Sequence, residues 1–171
     1  MKLFKPHKYV QPEGDKNCIL YNIANVLNIP LDMLDKYKVD GISTKDMEYI
    51  IQNIGFPKSY LAVLANITNV PGSDLIFLPE ALLRFMIEST IEFTTDKNYL
   101  LMPLTIRTKN NRMHSIFLLV NKKRIILSDP RKTHMVELTL DELLPLLKCE
   151  QVTVLLSYRG FRKSYTHKIT L

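Results

Sequence analysis

From Cys18 to Leu27 apolar side chains recur at helical spacing: Ile19, Leu20, Ile23, Ala24 and Leu27 share a face, and Val26 widens it. Asn17 or Asp15 is placed to cap the first turn, Asn17 being the better sited if Cys18 is the first helical residue. Asn28-Ile29-Pro30 stops the helix, because the residue before a proline avoids the α region. The seventeen residues ahead of it read as an extended arm and a polar loop. A short helix is expected over Leu31 to Tyr37. Ser43-Thr44-Lys45-Asp46 has capping-box spacing, with Asp in place of Glu, ahead of a helical run through Ile50, Ile51 and Ile54 to Gly55. Tyr60 to Leu64 reads as a strand and Asn69-Val70-Pro71-Gly72 as a turn. Pro79 suits a first helical position, and Leu82, Leu83, Phe85, Met86 and Ile87 continue a helix to Ser89.

The second half changes period. Leu100 to Ile106 reads as a strand, although Pro103, lacking a backbone N–H, belongs at an edge or an irregularity. His114 opens Ser115-Ile116-Phe117-Leu118-Leu119-Val120, an apolar run suited to a buried strand. Asn121-Lys122-Lys123 is a polar turn into Arg124 to Ser128, so the two runs form a hairpin. Val136 to Leu138 is a short strand. Thr139 caps a helix over Leu140 to Leu147, with Asp141 and Glu142 in the first turn, where the helix dipole favours them. Val152 to Ser157 is a last strand, before a basic C-terminal tail over residues 158–171. The expected class is α+β, with N-terminal helices packed on a C-terminal antiparallel sheet in a single domain over residues 1–171.

Composition narrows the class further. With 171 residues and 46% hydrophobic side chains, the chain can build a core without disulfides or a structural metal. A charged fraction of 23% and 5 glycines exclude a disordered or collagen-like chain. The net charge of +6 favours an acidic partner or anionic surface without choosing among nucleic acid, membrane and protein. Two cysteines, Cys18 and Cys149, are too few for a disulfide framework. His7, His114, His134 and His167 make no metal-binding spacing, and no glycine-rich phosphate loop occurs, so neither metal nor cofactor is expected. The apolar windows Leu75 to Leu83 and Ser115 to Val120 fall far short of the roughly 20 residues that span a bilayer. The start, MKLFKPHKYVQPEGD, lacks the apolar stretch of a signal peptide, and a cytoplasmic location is expected.

Cys18 is the first candidate for chemistry. A cysteine on an apolar helix is ordinarily a small, inert hydrophobe. At a helix N-terminus, however, unpaired backbone N–H groups and the dipole stabilise thiolate over thiol and so favour a nucleophile. His114 begins one hairpin strand and Asp129 follows the other, so pairing across the Asn121-Lys122 turn brings their ends together. A histidine there accepts a thiol proton, and an aspartate fixes its tautomer through the other ring nitrogen. Read separately, the two are a surface histidine and an Asp-Pro turn. Gln11 is seven residues before Cys18; its amide either donates to the oxyanion of a tetrahedral intermediate, beside the Cys18 backbone N–H, or faces solvent. Cys149 lacks an evident base and reads as structural, and His134 is a reserve candidate.

Gln11, the segment from Lys16 to Leu27, Met113-His114-Ser115-Ile116-Phe117-Leu118-Leu119-Val120 and Leu127-Ser128-Asp129-Pro130 together resemble papain-like cysteine peptidases. The likeness is nearest to the C39-like branch, which includes the leader-cleaving domains of bacteriocin exporters. It runs in order from Gln11 to the final strand. It implies a papain-like fold with Cys18 as nucleophile, His114 as base, Asp129 as its orienter and Gln11 in the oxyanion hole. The chain departs from that branch in having Asn17-Cys18-Ile19 where Asp-Cys-Gly is common, and a Gln-to-Cys interval one residue longer. The helix from Pro79 to Ser89 is similar to one in Josephin-type deubiquitinases.

The resemblance implies a thiol hydrolase acting on a protein or peptide through a peptide or isopeptide bond. The same three residues serve a glutamine deamidase or a transglutaminase-like acyl transfer. A catalytically inactive protein-binding module on the same fold is a second class of reading. A basic nucleic-acid-binding protein is the third, resting on Arg159, Arg162, Lys163 and Lys168 interleaved with Tyr158, Phe161 and Tyr165. Such a run also reads as a solvated tail whose aromatics pack on the domain.

Overall fold

The computed structural model describes residues 1–40, 42, 46, 49–50, 53, 75–77, 80–92, 94–96, 99–107, 113–149, 153–157 and 168–169. Its strands are β1 (Lys2–Pro6), β2 (Leu75–Phe77), β3 (Tyr99–Arg107), β4 (Met113–Val120), β5 (Ile125–Ser128), β6 (His134–Leu138), β7 (Thr153–Ser157) and β8 (Lys168–Ile169). Helices α1 (Cys18–Leu27), α2 (Glu80–Glu92) and α3 (Leu140–Cys149) accompany them, with a 3₁₀ helix over Leu31–Tyr37. The strands form one sheet in the order β1-β6-β5-β4-β3-β7-β2, with β8 also on β3, and every described pairing is antiparallel. The class is α+β.

The sheet is covered on both faces, which explains why β4 is apolar along most of its length. Side chains alternate across a strand, so Ile116, Leu118 and Val120 face one way and Phe117 and Leu119 the other. The first set packs with Leu104, Leu127, Ile87 of α2 and Leu143 and Leu144 of α3. The second packs with Leu101, Ile126 and Met135 under α1, through Ile19, Leu20, Ile23 and Leu27. α1 is therefore buried nearly all round, and its two asparagines need partners inside the protein. Asn25 finds one in the N-terminal arm: its Oδ1 accepts from Tyr9 N at 3.0 Å and its Nδ2 donates to Tyr9 O at 2.8 Å.

Local signals are followed closely. The β4–β5 hairpin pairs Phe117 with Ser128 and Val120 with Ile125, and Asn121 closes its turn by accepting from Lys123 N and Arg124 N. Thr139 and Glu142 form a reciprocal capping box at α3: Glu142 N donates to Thr139 Oγ1 at 3.2 Å, and Thr139 N donates to Glu142 Oε2 at 2.9 Å. α1 ends at Asn28, which is left-handed at φ 54°, with Ile29 N donating back to Ala24 O.

Other expectations need correction. Neither Asn17 nor Asp15 caps α1 with its side chain; Asp15 Oδ1 instead accepts from Asn17 N at 2.7 Å, which turns it away from the helix amides. The helix over Leu31 to Tyr37 is 3₁₀. The arm is not free, since β1 pairs with β6, and β1 and β2 place parts of the first half within the sheet. β3 is an interior strand despite Pro103, because its far side is shared: β8 pairs with Tyr99 and Leu100, β7 resumes at Thr105, and Pro103 falls in the gap. Lys168–Ile169 join the sheet, so the basic segment over 158–171 is not wholly a tail. The expected strand over Tyr60 to Leu64, the turn at Asn69 to Gly72, Pro79 and the aromatic residues of the basic run lie outside the described residues.

Candidate active site

α1 begins at Cys18 and delivers it, half-buried, to the end of β4. The first intrahelical bond is from Leu20 N to Asn17 O, so the N–H groups of Cys18 and Ile19 precede the helical ladder. Cys18 Sγ accepts a hydrogen bond from Ser115 N at 3.3 Å. Ile19, which follows the thiol in place of a glycine, is turned into the core at 5% exposure and so does not cover it. Tyr21 is also buried, and its hydroxyl donates to Asp15 Oδ2.

His114 is 3% exposed and its Nε2 lies 2.8 Å from Asp129 Oδ1. A carboxylate only accepts, so the ring proton sits on Nε2, and Nδ1 is left bare, buried and without a hydrogen-bond partner among the described residues. The hairpin register accounts for the meeting: β5 leaves β4 after the Phe117–Ser128 pair, and Asp129 is the next residue. Asp129 Oδ1 also accepts from Arg131 N at 3.0 Å. Burial is the largest influence on His114 and disfavours its charge. The hydrogen bond to Asp129, the nearness of Cys18 and the charges of both outweigh burial and raise its pKa above the ordinary imidazole value. Burial likewise acts to raise the Asp129 pKa, but the hydrogen bond and charge of His114, the Arg131 amide and Lys132 together hold it below the ordinary carboxylate value.

Gln11 is buried, and its Nε2 donates to Asp15 O at 2.6 Å while Oε1 has no partner among the described residues. Its backbone N donates to Pro130 O at 2.7 Å, tying the loop before Cys18 to the turn after Asp129. One amide N–H of Gln11 is thus engaged by the loop, leaving the second for any other acceptor. His134 bonds Thr133 Oγ1 through Nδ1 and stands at the start of β6 rather than at the thiol. Cys149 ends α3, and its side chain lies outside the described residues.

A set of polar residues escaped the sequence reading. Asn22, one turn after Cys18, donates from Nδ2 to Ser115 O at 2.9 Å, so Cys18 and Asn22 hold the two backbone polar groups of Ser115 between them. Ser128 and His7 continue from Asn22. The available signal was an asparagine within an otherwise apolar helix face, which calls for a buried polar partner.

A cavity of about 320 Å³ adjoins Asp129, walled by Leu3, Ile116, Leu127, Val136 and Leu146. Neither Cys18 nor His114 lines it, so it is separate from the space above the thiol. Among the described residues, no helix is long and apolar enough to cross a membrane. Comparison with models of protein families, with curated proteins and with solved structures returns no match to this chain.

Proposed function

We propose that the protein is a cysteine-dependent hydrolase on a papain-like fold, cleaving a peptide or isopeptide bond with Cys18, His114 and Asp129. One observation carries the reading: the 2.8 Å contact between His114 Nε2 and Asp129 Oδ1, which leaves a bare, buried Nδ1 on a ring whose protonation Cys18 influences. The position of Cys18 at the start of α1, with Ser115 N donating to its sulfur, supports the same reading.

The chemistry is acyl transfer. The Cys18 proton passes to His114 Nδ1, and the sulfur adds to the substrate carbonyl carbon to give a tetrahedral oxyanion. The backbone N–H of Cys18 and the second amide N–H of Gln11 are the donors for that oxygen. The carbon–nitrogen bond breaks, His114 passes its proton to the leaving amine, and a thioester remains. His114 then takes a proton from water, whose hydroxide oxygen attacks the thioester, and carboxylate and thiol are released. Asp129 keeps the ring in the tautomer this cycle needs and stabilises the imidazolium that forms.

The test is alkylation and turnover together. Native protein labelled with iodoacetamide, sites located by mass spectrometry, should modify Cys18 well ahead of Cys149. Peptide and isopeptide-linked substrate libraries should be cleaved by the native chain and not by Cys18→Ala. Labelling of Cys18 only after unfolding, with no cleavage in either library, would sink the proposal.

A further inference from the structure

The mechanism leaves one buried titratable group unused. His7 follows β1, is 8% exposed, and has both ring nitrogens engaged: Nδ1 lies 2.7 Å from Lys132 O and Nε2 lies 3.0 Å from Ser128 Oγ. Ser128 Oγ is also 2.9 Å from Asn22 Oδ1, and Asn22 Nδ2 reaches Ser115 O. Ser128 and Asn22 are each 0% exposed, so bulk solvent does not reach them. The chain links every segment of the site. Ser115 follows His114 and donates to Cys18 Sγ, Ser128 precedes Asp129, and Lys132 N donates to Asp129 O at 2.9 Å.

Proton counting along this chain has a definite answer. Lys132 O only accepts, so His7 Nδ1 carries a proton. Ser115 O only accepts, so Asn22 turns its NH₂ there and presents Oδ1 to Ser128. Ser128 has one hydroxyl proton. If His7 is neutral, its bare Nε2 and Asn22 Oδ1 compete for that proton and one link is unmade. If His7 carries two protons, it donates to Ser128 and to Lys132 O, and Ser128 donates to Asn22.

We propose that His7, Ser128 and Asn22 are positioning residues for the Cys18–His114–Asp129 site, and that their chain is fully bonded only when His7 is protonated on both nitrogens. The proposal rests on the hydrolase reading above. The groups whose charge reaches His7 are Asp129, in the turn after β5, and His134, at the start of β6; α1 presents only the neutral Asn22. Lys5 and Lys8 flank His7 on its own segment and are exposed. Burial is the main influence on His7 and lowers its pKa, His134 adds to the lowering, and the Lys132 carbonyl and Asp129 oppose it. Closure of the chain therefore belongs to pH below the ordinary imidazole range.

Two replacements separate positioning from space-filling. In His7→Gln the side-chain amide reaches the Nε2 position and donates to Ser128 at every pH. In His7→Asn it matches Nδ1, keeping Lys132 O and losing Ser128. Iodoacetamide labelling of Cys18 in the full chain, from about pH 5 to about pH 9, should run about tenfold slower in His7→Asn than in His7→Gln, the effect of one net hydrogen bond, with the native rate nearing that of His7→Gln where His7 is doubly protonated and falling toward that of His7→Asn where it is neutral. Both variants should lose the His7 contribution to the pH profile. Equal rates for the two variants overturn the positioning role. Long-range ¹H–¹⁵N correlation of native His7 needs no variant. It should show the Nδ1–H tautomer at neutral pH and protonation of both nitrogens in acid, and an Nε2–H tautomer overturns the proposal even if a variant fails to fold. If native Cys18 labels no faster than a free thiol, the hydrolase reading fails and takes the positioning role with it. Fast native labelling that both variants match removes the positioning role alone.

Discussion

Asp129→Asn tests whether the buried pair is electrostatic. The asparagine keeps an oxygen where Oδ1 accepts from His114 Nε2 and Arg131 N, at 2.8 and 3.0 Å, so packing and hydrogen bonding survive and only the charge is lost. A hydrogen bond to a charged partner contributes about 1.5–3 kcal/mol and a neutral one about 0.5–1.5 kcal/mol, so about 1–1.5 kcal/mol should go. For a chain of 171 residues each kcal/mol moves Tm by about 2–4 °C, so a fall of about 2–6 °C is expected at the most sensitive pH. The linkage signs locate that pH. The His114 pKa is raised on folding, so its contribution is complete below the unfolded imidazole value of about 6.5 and fades as pH rises through the folded value. The Asp129 pKa is lowered, so its contribution is complete above the unfolded value of about 3.9 and fades as pH falls through the folded value. The stability gap between native and Asp129→Asn should therefore be widest near about pH 5 and narrow toward about pH 9. Urea unfolding followed by circular dichroism across that range measures it. A gap independent of pH, or one that widens toward alkaline pH, would refute the ion-pair argument.

Further outcomes follow from the same structure. His114→Ala should slow iodoacetamide labelling of Cys18 at neutral pH by roughly 10²-fold or more, the scale of a lost general base, as read by mass spectrometry. Thr139→Ala removes the hydroxyl that accepts from Glu142 N and should cost about 1 kcal/mol in urea unfolding, while Thr139→Ser should recover most of it. Leu118→Ala empties a fully buried position between β4 and the α2–α3 face and should cost about 2–5 kcal/mol by the same assay. Asn28→Ala places a Cβ-bearing residue without a compensating amide at φ 54° and should lower stability by about 1 kcal/mol, whereas Asn28→Gly should be tolerated.

Elements whose signals lie within a few residues were legible from the sequence. α1 begins at Cys18 and ends at Leu27 as its periodicity requires, because a helix is closed by contacts three and four residues apart. The β4–β5 hairpin and the Thr139 cap were legible for the same reason, and the hairpin implies the proximity of His114 and Asp129. Tertiary structure decided whatever depends on partners distant in the chain. Nothing near Lys2–Pro6 announces β6 as its neighbour, and nothing near Pro103 announces the gap between β7 and β8 that accommodates it. The Cys18 sulfur and the Asn22 amide both reach Ser115, more than ninety positions away. Ser128 and His7, unremarkable in their own segments, become one hydrogen-bonded chain only when the folded core removes water and leaves each polar group to find the other. Sequence determines which residues can donate, accept or carry a proton; burial and register decide which of them meet, and therefore where the protons reside.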